Sequence, residues 1–359
     1  MGDYSRFIND KRRSVPAPQA VVRDDGSCVF GTFADEFEDL DLVRAARPTH
    51  APQFMNKLKL TLWEAAEVHF DEGVLLCALT DMGVLRKMMH VFWEKETGRV
   101  YSWDTDLSPA NTRISENLIN GSTAAAKSKD GFIKYVNTFD KGRCSLSGVH
   151  IKGRDTVEYD LDLTRISRPS VVSIPFGSNR PLYTEKDFFR VTGCMRLNGR
   201  ELTVNENTTA VIDDHRGYYP RHAHFDWVTT FGRSGASGEM NYFALNLTAN
   251  QSTDPERYNE NLIWLAGETA LLPPVRFTRT PDSGEFAGRS VWTIRDDHDM
   301  VDLTFRVQAV QPMIVHALVV KIDYYIVFGE LAGYLHDEAG HKYVLDGLMG
   351  MGEDKTLLL

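Results

Sequence analysis

Apolar and polar residues alternate with a period of two through most readable segments of the chain. Leu58, Leu60 and Leu62 in "KLKLTLW", and Val157, Tyr159, Leu161 and Leu163 in "TVEYDLDL", put apolar side chains on one face and polar ones on the other. That is the pattern of a half-buried β-strand. Turn chemistry separates the strands at short intervals: "ETG" at 96–98, "DKG" at 140–142, "NG" at 198–199, "DDHD" at 296–299 and "EAGH" at 338–341. Helical spacing is confined to "DEFEDLDLVRAA" at 35–46 and "SPANTRISENLING" at 108–121. Strands without interleaved long helices argue against a doubly wound fold and predict antiparallel sandwiches or barrels.

A chain of 359 residues has room for two such barrels. The alternation breaks at "SIPFGSNRPLYTEKD", 173–187, where Pro175, Gly177 and Pro181 interrupt it. The predicted division is 1–178, an N-terminal barrel whose first fifty residues wrap or plug, and 179–359, a C-terminal barrel.

Forty basic against fifty acidic residues give a formal charge of −10. This balance repels nucleic acid and anionic membrane surfaces unless a local basic patch overrides it, and no such patch is read beyond "KRR" at 11–13, which argues against nucleic-acid binding. The apolar stretches at 73–79 and 316–329 are too short or too interrupted for stable membrane insertion. Cys28, Cys77, Cys144 and Cys194 form no CxxC pair, which argues against a zinc knuckle or redox motif and for a reducing compartment. The expected location is the cytoplasm; a homodimer is left open.

Chemistry concentrates in 213–227, "DDHRGYYPRHAHFDW". Read as a turn at "HRGYYP" followed by a strand, it places His222, His224 and Asp226 on one face and Ala223, Phe225 and Trp227 on the other. Which face lines a cavity stays open. His-x-His on a strand suits a metal, but no third ligand cluster accompanies it, and the expectation is no metal. Asp213 or Asp214 beside His215, with His222 and His224, forms a pool of groups suited to proton transfer in an apolar cavity. The same residues also serve to cap turns and satisfy buried backbone groups. Asn246 and Asn261 interrupt apolar strands and either orient a ligand or stitch strands together; Glu330 is an acid if it faces inward. No GxSxG, HExxH or Walker pattern is present.

The ordered blocks 55–104, 172–199, 211–232, 243–268, 292–305 and 325–353 together resemble the family known as domain of unknown function 2804. Its signature, an Asp, a basic-Gly turn, an aromatic-Pro step and a Trp, falls on Asp213 or Asp214, Arg216, Gly217, Tyr219, Pro220 and Trp227. A second signature falls on Asn246 and Asn261. His215, His222 and His224 depart from common members, as does Tyr219 where Trp is frequent. The family is in turn similar to two-barrel lipocalin-like proteins that include carotenoid hydratases and Diels–Alderase-type cyclases.

That resemblance implies an all-β protein of two lipocalin-like (calycin) antiparallel barrels packed together, with few short helices, acting without an organic cofactor on a small hydrophobic molecule. The expected function is a lyase, hydratase or isomerase working by acid/base chemistry on an aromatic or isoprenoid compound. Asp214 with His215, or His222 and His224, would move protons. Arg216, Asn246 and Asn261 would orient the substrate, and Tyr218, Tyr219 and Trp227 would line the cavity. The alternative is a non-catalytic carrier of a hydrophobic ligand.

Overall fold

The computed structural model describes residues 10–234, 241–280, 286, 288–317 and 320–358. The chain is all-β and divides into two compact units, Val15–Tyr219 and Pro220–Leu359 with the segment up to Ser14.

The unit Val15–Tyr219 is built on one antiparallel sheet. Its order is Val100–Leu107, Arg86–Glu94, Gly73–Asp81, Thr61–Phe70, Thr209–Gly217, Pro181–Leu197, Asp155–Arg165, Arg143–Lys152, Gly131–Thr138, Ser122–Lys127 and Thr112–Arg113. The sheet curls into a nearly closed barrel. Trp103 Nε1 donates to the Asp155 carbonyl at 3.1 Å and Lys152 Nζ to the Ser102 carbonyl at 3.2 Å, bringing the first strand of that order against the opposite side. Inward residues such as Val68, Phe92, Leu146, Leu161 and Ile212 form the core.

Most of the segment 15–60 plugs one end of the barrel, and a short part of it also pairs, Gly31–Phe33 lying antiparallel to Ser170–Pro175. Val22, Phe33, Phe37 and Leu42 pack with Leu60, Tyr183 and Tyr218, at the end where the Thr61–Phe70 and Pro181–Leu197 strands begin and Thr209–Gly217 stops. Of the two helical stretches, only the single 3-10 turns Leu42–Arg44 and Pro109–Asn111 form. Runs this short do not offset the cost of helix nucleation, and burial of Leu40 and Leu42 fixes the first as part of the plug.

The expected junction at 173–187 falls inside this unit. Pro175, Gly177 and Pro181 make a hairpin turn between Ser170–Pro175 and Pro181–Leu197, and the latter strand lies at the middle of the sheet order. The motif "DDHRG" is likewise strand rather than turn, since Thr209–Gly217 pairs along its length with both Thr61–Phe70 and Pro181–Leu197. Gly217 is required there by close approach: a Cβ would lie 2.8 Å from the Pro181 carbonyl oxygen and 2.9 Å from Leu182 Cδ1. The division between units comes two residues later, at Tyr219 and Pro220.

The other unit is a ten-stranded sheet curved into a half-barrel, in which His222–Thr230 lies between Asn241–Ala249 and Lys342–Leu358. Arg12, from the "KRR" run, is buried in it and donates to Asn259 Oδ1 and to the Asn261 and Leu272 carbonyls. Burial, opposed by Glu260, lowers its pKa to about 9.

Candidate functional site

Alternation along Thr209–Gly217 sends Asp214 and Arg216 into the barrel and Asp213 and His215 to the outer face, and cross-strand register supplies the partners of each. Asp214 stands opposite Glu64 and Glu185, Asp213 opposite Lys186, and His215 opposite Trp63 and Thr184.

The inner cluster is fully enclosed. Arg216 Nε and Nη2 grip Asp214 at 2.8 and 2.9 Å, and Arg216 Nη1 donates to the Glu116 carbonyl at 2.9 Å. Glu64 accepts from Ser115 Oγ at 2.5 Å and Asn137 Nδ2 at 2.6 Å. Its pKa is pushed up to about 7 by burial and then by the neighbouring Asp214 charge. Next along, Tyr183 donates to Glu185 at 2.6 Å, and Arg165 pairs with Glu36 of the plug at 2.6 Å and with Asp187 at 2.8 Å. Burial, then the charges of Asp187 and Glu36, push Glu185 well above the carboxylate range, and burial lifts Asp187 to about 6 against the pull of Arg165.

The outer cluster has a different character. His215 Nδ1 faces Asp213 Oδ2 at 3.7 Å, and the imidazole stacks on Trp63, with 5.7 Å between centroids and 5° between planes. Tyr219 meets the same imidazole edge-on and in turn touches the Phe176 ring. Lys186 Nζ lies 3.0 Å from Asp213 Oδ1 and donates to Thr184 Oγ1 at 3.0 Å. Burial works against ionisation of Asp213, but Lys186 and His215 outweigh it and hold the carboxyl well below its usual range. His215 Nε2 is buried and has no hydrogen-bond partner among the described residues. A carboxylate at Nδ1 favours the tautomer with Nε2 unprotonated, leaving a proton acceptor between aromatic surfaces.

The predicted pairing of Asp214 with His215 is therefore corrected: adjacent strand residues face opposite ways, and Asp213 is the carboxylate on the imidazole's side. Arg216 is committed to Asp214 inside the barrel. Tyr218 is buried at the plug, donating to the Leu42 carbonyl at 3.0 Å.

The remaining predicted residues belong to the half-barrel unit. His222 and His224 are exposed on His222–Thr230, while Ala223 and Trp227 are buried, as alternation requires. His224 Nε2 lies 3.1 Å from Asp226, whose carboxylate also pairs with Arg279. Trp227 Nε1 donates to Asn246 Oδ1 at 2.6 Å, and Asn246 Nδ2 to the Glu260 carbonyl at 2.8 Å. Asn261 accepts from the Thr248 amide and donates to the Pro273 carbonyl. Trp227, Asn246 and Asn261 thus stitch strands.

Lys186, Trp63, Glu64, Glu185 and Asp187 were not singled out from the sequence. The available signal was "YTEKD", three charges on a strand flanked by apolar residues, masked by the prolines nearby. A second interior chain was also missed: His90 contacts His150 at 3.0 Å and Tyr159 at 2.9 Å, and His150 contacts Thr105 at 3.1 Å. Burial, then His150, holds His90 far below the usual imidazole range, so it stays neutral.

The chain belongs to the family described as domain of unknown function (DUF2804), whose model matches residues 12–357. Its fold is similar to that in the crystal structure of kievitone hydratase from Nectria haematococca, with a TM-score of 0.50 and 12% identity over 83% of this chain and 88% of that one. No curated protein matches the chain by sequence.

Proposed function

We propose that this protein is a hydratase-type lyase or isomerase of a small aromatic or isoprenoid compound, with His215, oriented by Asp213, as its proton-transfer group. The observation that carries the reading is the buried, unpartnered Nε2 of His215, held between Trp63 and Tyr219 with a carboxylate behind it. Burying a hydrogen-bonding atom without a partner is costly, and at His215 a substrate that supplies the missing bond would offset that cost. A carrier of apolar ligands gains nothing from that cost. In hydration, one alkene carbon gains a proton, the other bonds the oxygen of water, and the water loses a proton to a base; dehydration is the reverse. Isomerisation moves a proton from one carbon to another. Nε2 can serve as the base in either, while the flanking rings favour an apolar substrate and a developing cation. The fold shared with kievitone hydratase supports the class and leaves the substrate to experiment.

The test is incubation with a panel of prenylated phenols and isoflavonoids in H₂¹⁸O and in D₂O, followed by mass spectrometry. Expected are ¹⁸O-labelled adducts for a hydratase or deuterium in an unhydrated isomer for an isomerase. His215→Gln should lower the rate by roughly 10²–10⁴-fold with binding retained. Stoichiometric binding with no isotope incorporation from any bound compound would make the protein a carrier, and a fully active His215→Gln would remove His215 from the chemistry.

A further inference from the structure

We propose that the tip formed by 52–59 and 82–85 docks this protein on an anionic lipid surface. Phe54 and Val84 are the most exposed large apolar side chains among the described residues, at 83% and 84%, and Leu58 joins them at 49%. Phe54 and Leu58 are four residues apart on the helical run Gln53–Met55 and Asn56–Lys59, which places them on one side. The two segments touch: Gly83 comes so close that a Cβ on it would stand 2.2 Å from the Leu58 carbonyl oxygen. Met82 and Leu85 are half-buried beside them.

Charge selects the occupant. The stretch 47–60, "RPTHAPQFMNKLKL", contains Arg47, Lys57 and Lys59 and no Asp or Glu, in a chain whose formal charge is −10. Lys57 and Lys59 are exposed on the same helical run as Phe54 and Leu58. On the neighbouring segment, Asp81 is neutralised by Arg86 at 2.8 Å. Exposed apolar side chains beside cations on the same segment suit the boundary between anionic headgroups and acyl chains. This is the local basic patch that overrides the acidic whole. A stable protein interface needs about 800 Å² from each partner, far more than three side chains supply.

The tip leads directly into Thr61–Phe70, the strand that carries Trp63. Docking would set the start of that strand against a phase where apolar compounds dissolve. It involves no spanning segment and stands independently of the chemistry of His215.

Co-sedimentation of the full chain with vesicles of phosphatidylcholine alone and of an equal mixture with phosphatidylglycerol tests the proposal. The mixed vesicles should bind at least tenfold more tightly than the neutral ones. Phe54→Ser with Val84→Ser should weaken that binding at least tenfold, as should Lys57→Glu with Lys59→Glu. Val344→Ser, an exposed apolar position elsewhere, should leave it unchanged, and circular dichroism checks that each variant is folded. Absence of binding to either vesicle, or equal binding by wild type and both double variants, would overturn the proposal. So would concentration-dependent self-association, without vesicle binding, that Phe54→Ser with Val84→Ser abolishes; the tip would then be a protein contact.

Discussion

His215 and Asp213 share the outer face of the Thr209–Gly217 strand, with Nδ1 3.7 Å from Oδ2, while Asp214 between them turns into the barrel and is gripped by Arg216. The two carboxylates therefore have different jobs. Asp214→Asn takes from the buried Arg216 guanidinium its bidentate carboxylate, leaving Glu64 as the neighbouring carboxyl, and should cost about 3–5 kcal/mol. Asp214→Leu with Arg216→Met removes both charges and should recover most of that loss, because apolar replacement of a whole buried pair is often neutral. Urea denaturation of wild type, single and double variants measures it. A double variant no more stable than Asp214→Asn would show that the interior depends on this pair for more than mutual charge neutralisation.

Glu64 predicts a pH dependence of stability. Its folded pKa of about 7 lies above the ordinary value of 4.5, so between those values the folded state holds a proton that the unfolded chain has lost. The contribution to stability is fully present below about pH 4.5 and disappears as pH rises through 7. Glu64→Gln keeps an acceptor for Asn137 and a polar contact for Ser115 without an ionisable group. Relative to wild type, the variant should therefore gain stability as pH rises from 4.5 to 7 and hold that gain above 7. Thermal midpoints of both proteins across this range check it; parallel profiles would mean that Glu64 does not titrate there. Glu185 and Asp187 are raised in the same direction and remain in both proteins, so the wild-type slope should be reduced rather than abolished.

The period-two pattern made the all-β class legible, and it also separated the faces of 221–227. Pairing between distant strands was not legible. Lys186 meets Asp213, and Glu185 meets Asp214, only because two strands lie in one particular register, and periodicity carries no register between distant segments. Pro175, Gly177 and Pro181 read equally well as a linker and as the hairpin turn they form. Choosing between them required knowing that Pro181–Leu197 has neighbours on both sides. The imidazole was found and its partner misassigned for the same reason: sequence adjacency favoured Asp214, whereas strand geometry favours the residue two away.

The half-barrel unit holds three potential metal ligands, His224, Asp226 and Asp354, whose ligand atoms lie within 4.8 Å of one another. Arg279 pairs with Asp226, and Arg289 Nε lies 2.8 Å from Asp354. Two guanidiniums offset two carboxylates, leaving a divalent cation little net charge to bind. Isothermal titration with zinc should show no stoichiometric binding by wild type. Arg279→Gln with Arg289→Gln should raise zinc affinity at least tenfold, and adding His224→Ala should reverse the gain. Stoichiometric zinc in wild type, lost in His224→Ala, would instead make the trio a metal centre.

Asn246 separates stitching from catalysis. Its side-chain oxygen receives the Trp227 indole N–H and its amide reaches the Glu260 carbonyl, so one buried residue joins three segments of the same sheet region. Asn246→Leu leaves a buried indole donor and a buried carbonyl without these partners, each costing roughly 1–3 kcal/mol. A loss of about 2–6 kcal/mol is expected for the pair, with the rate of isotope incorporation per folded molecule unchanged. Trp227→Phe with Asn246→Leu removes the indole donor as well and should be less destabilised than Asn246→Leu alone. Chemical denaturation and turnover measured on the same preparations distinguish the two roles. A stable Asn246→Leu that has lost turnover would move Asn246 from the scaffold to the substrate.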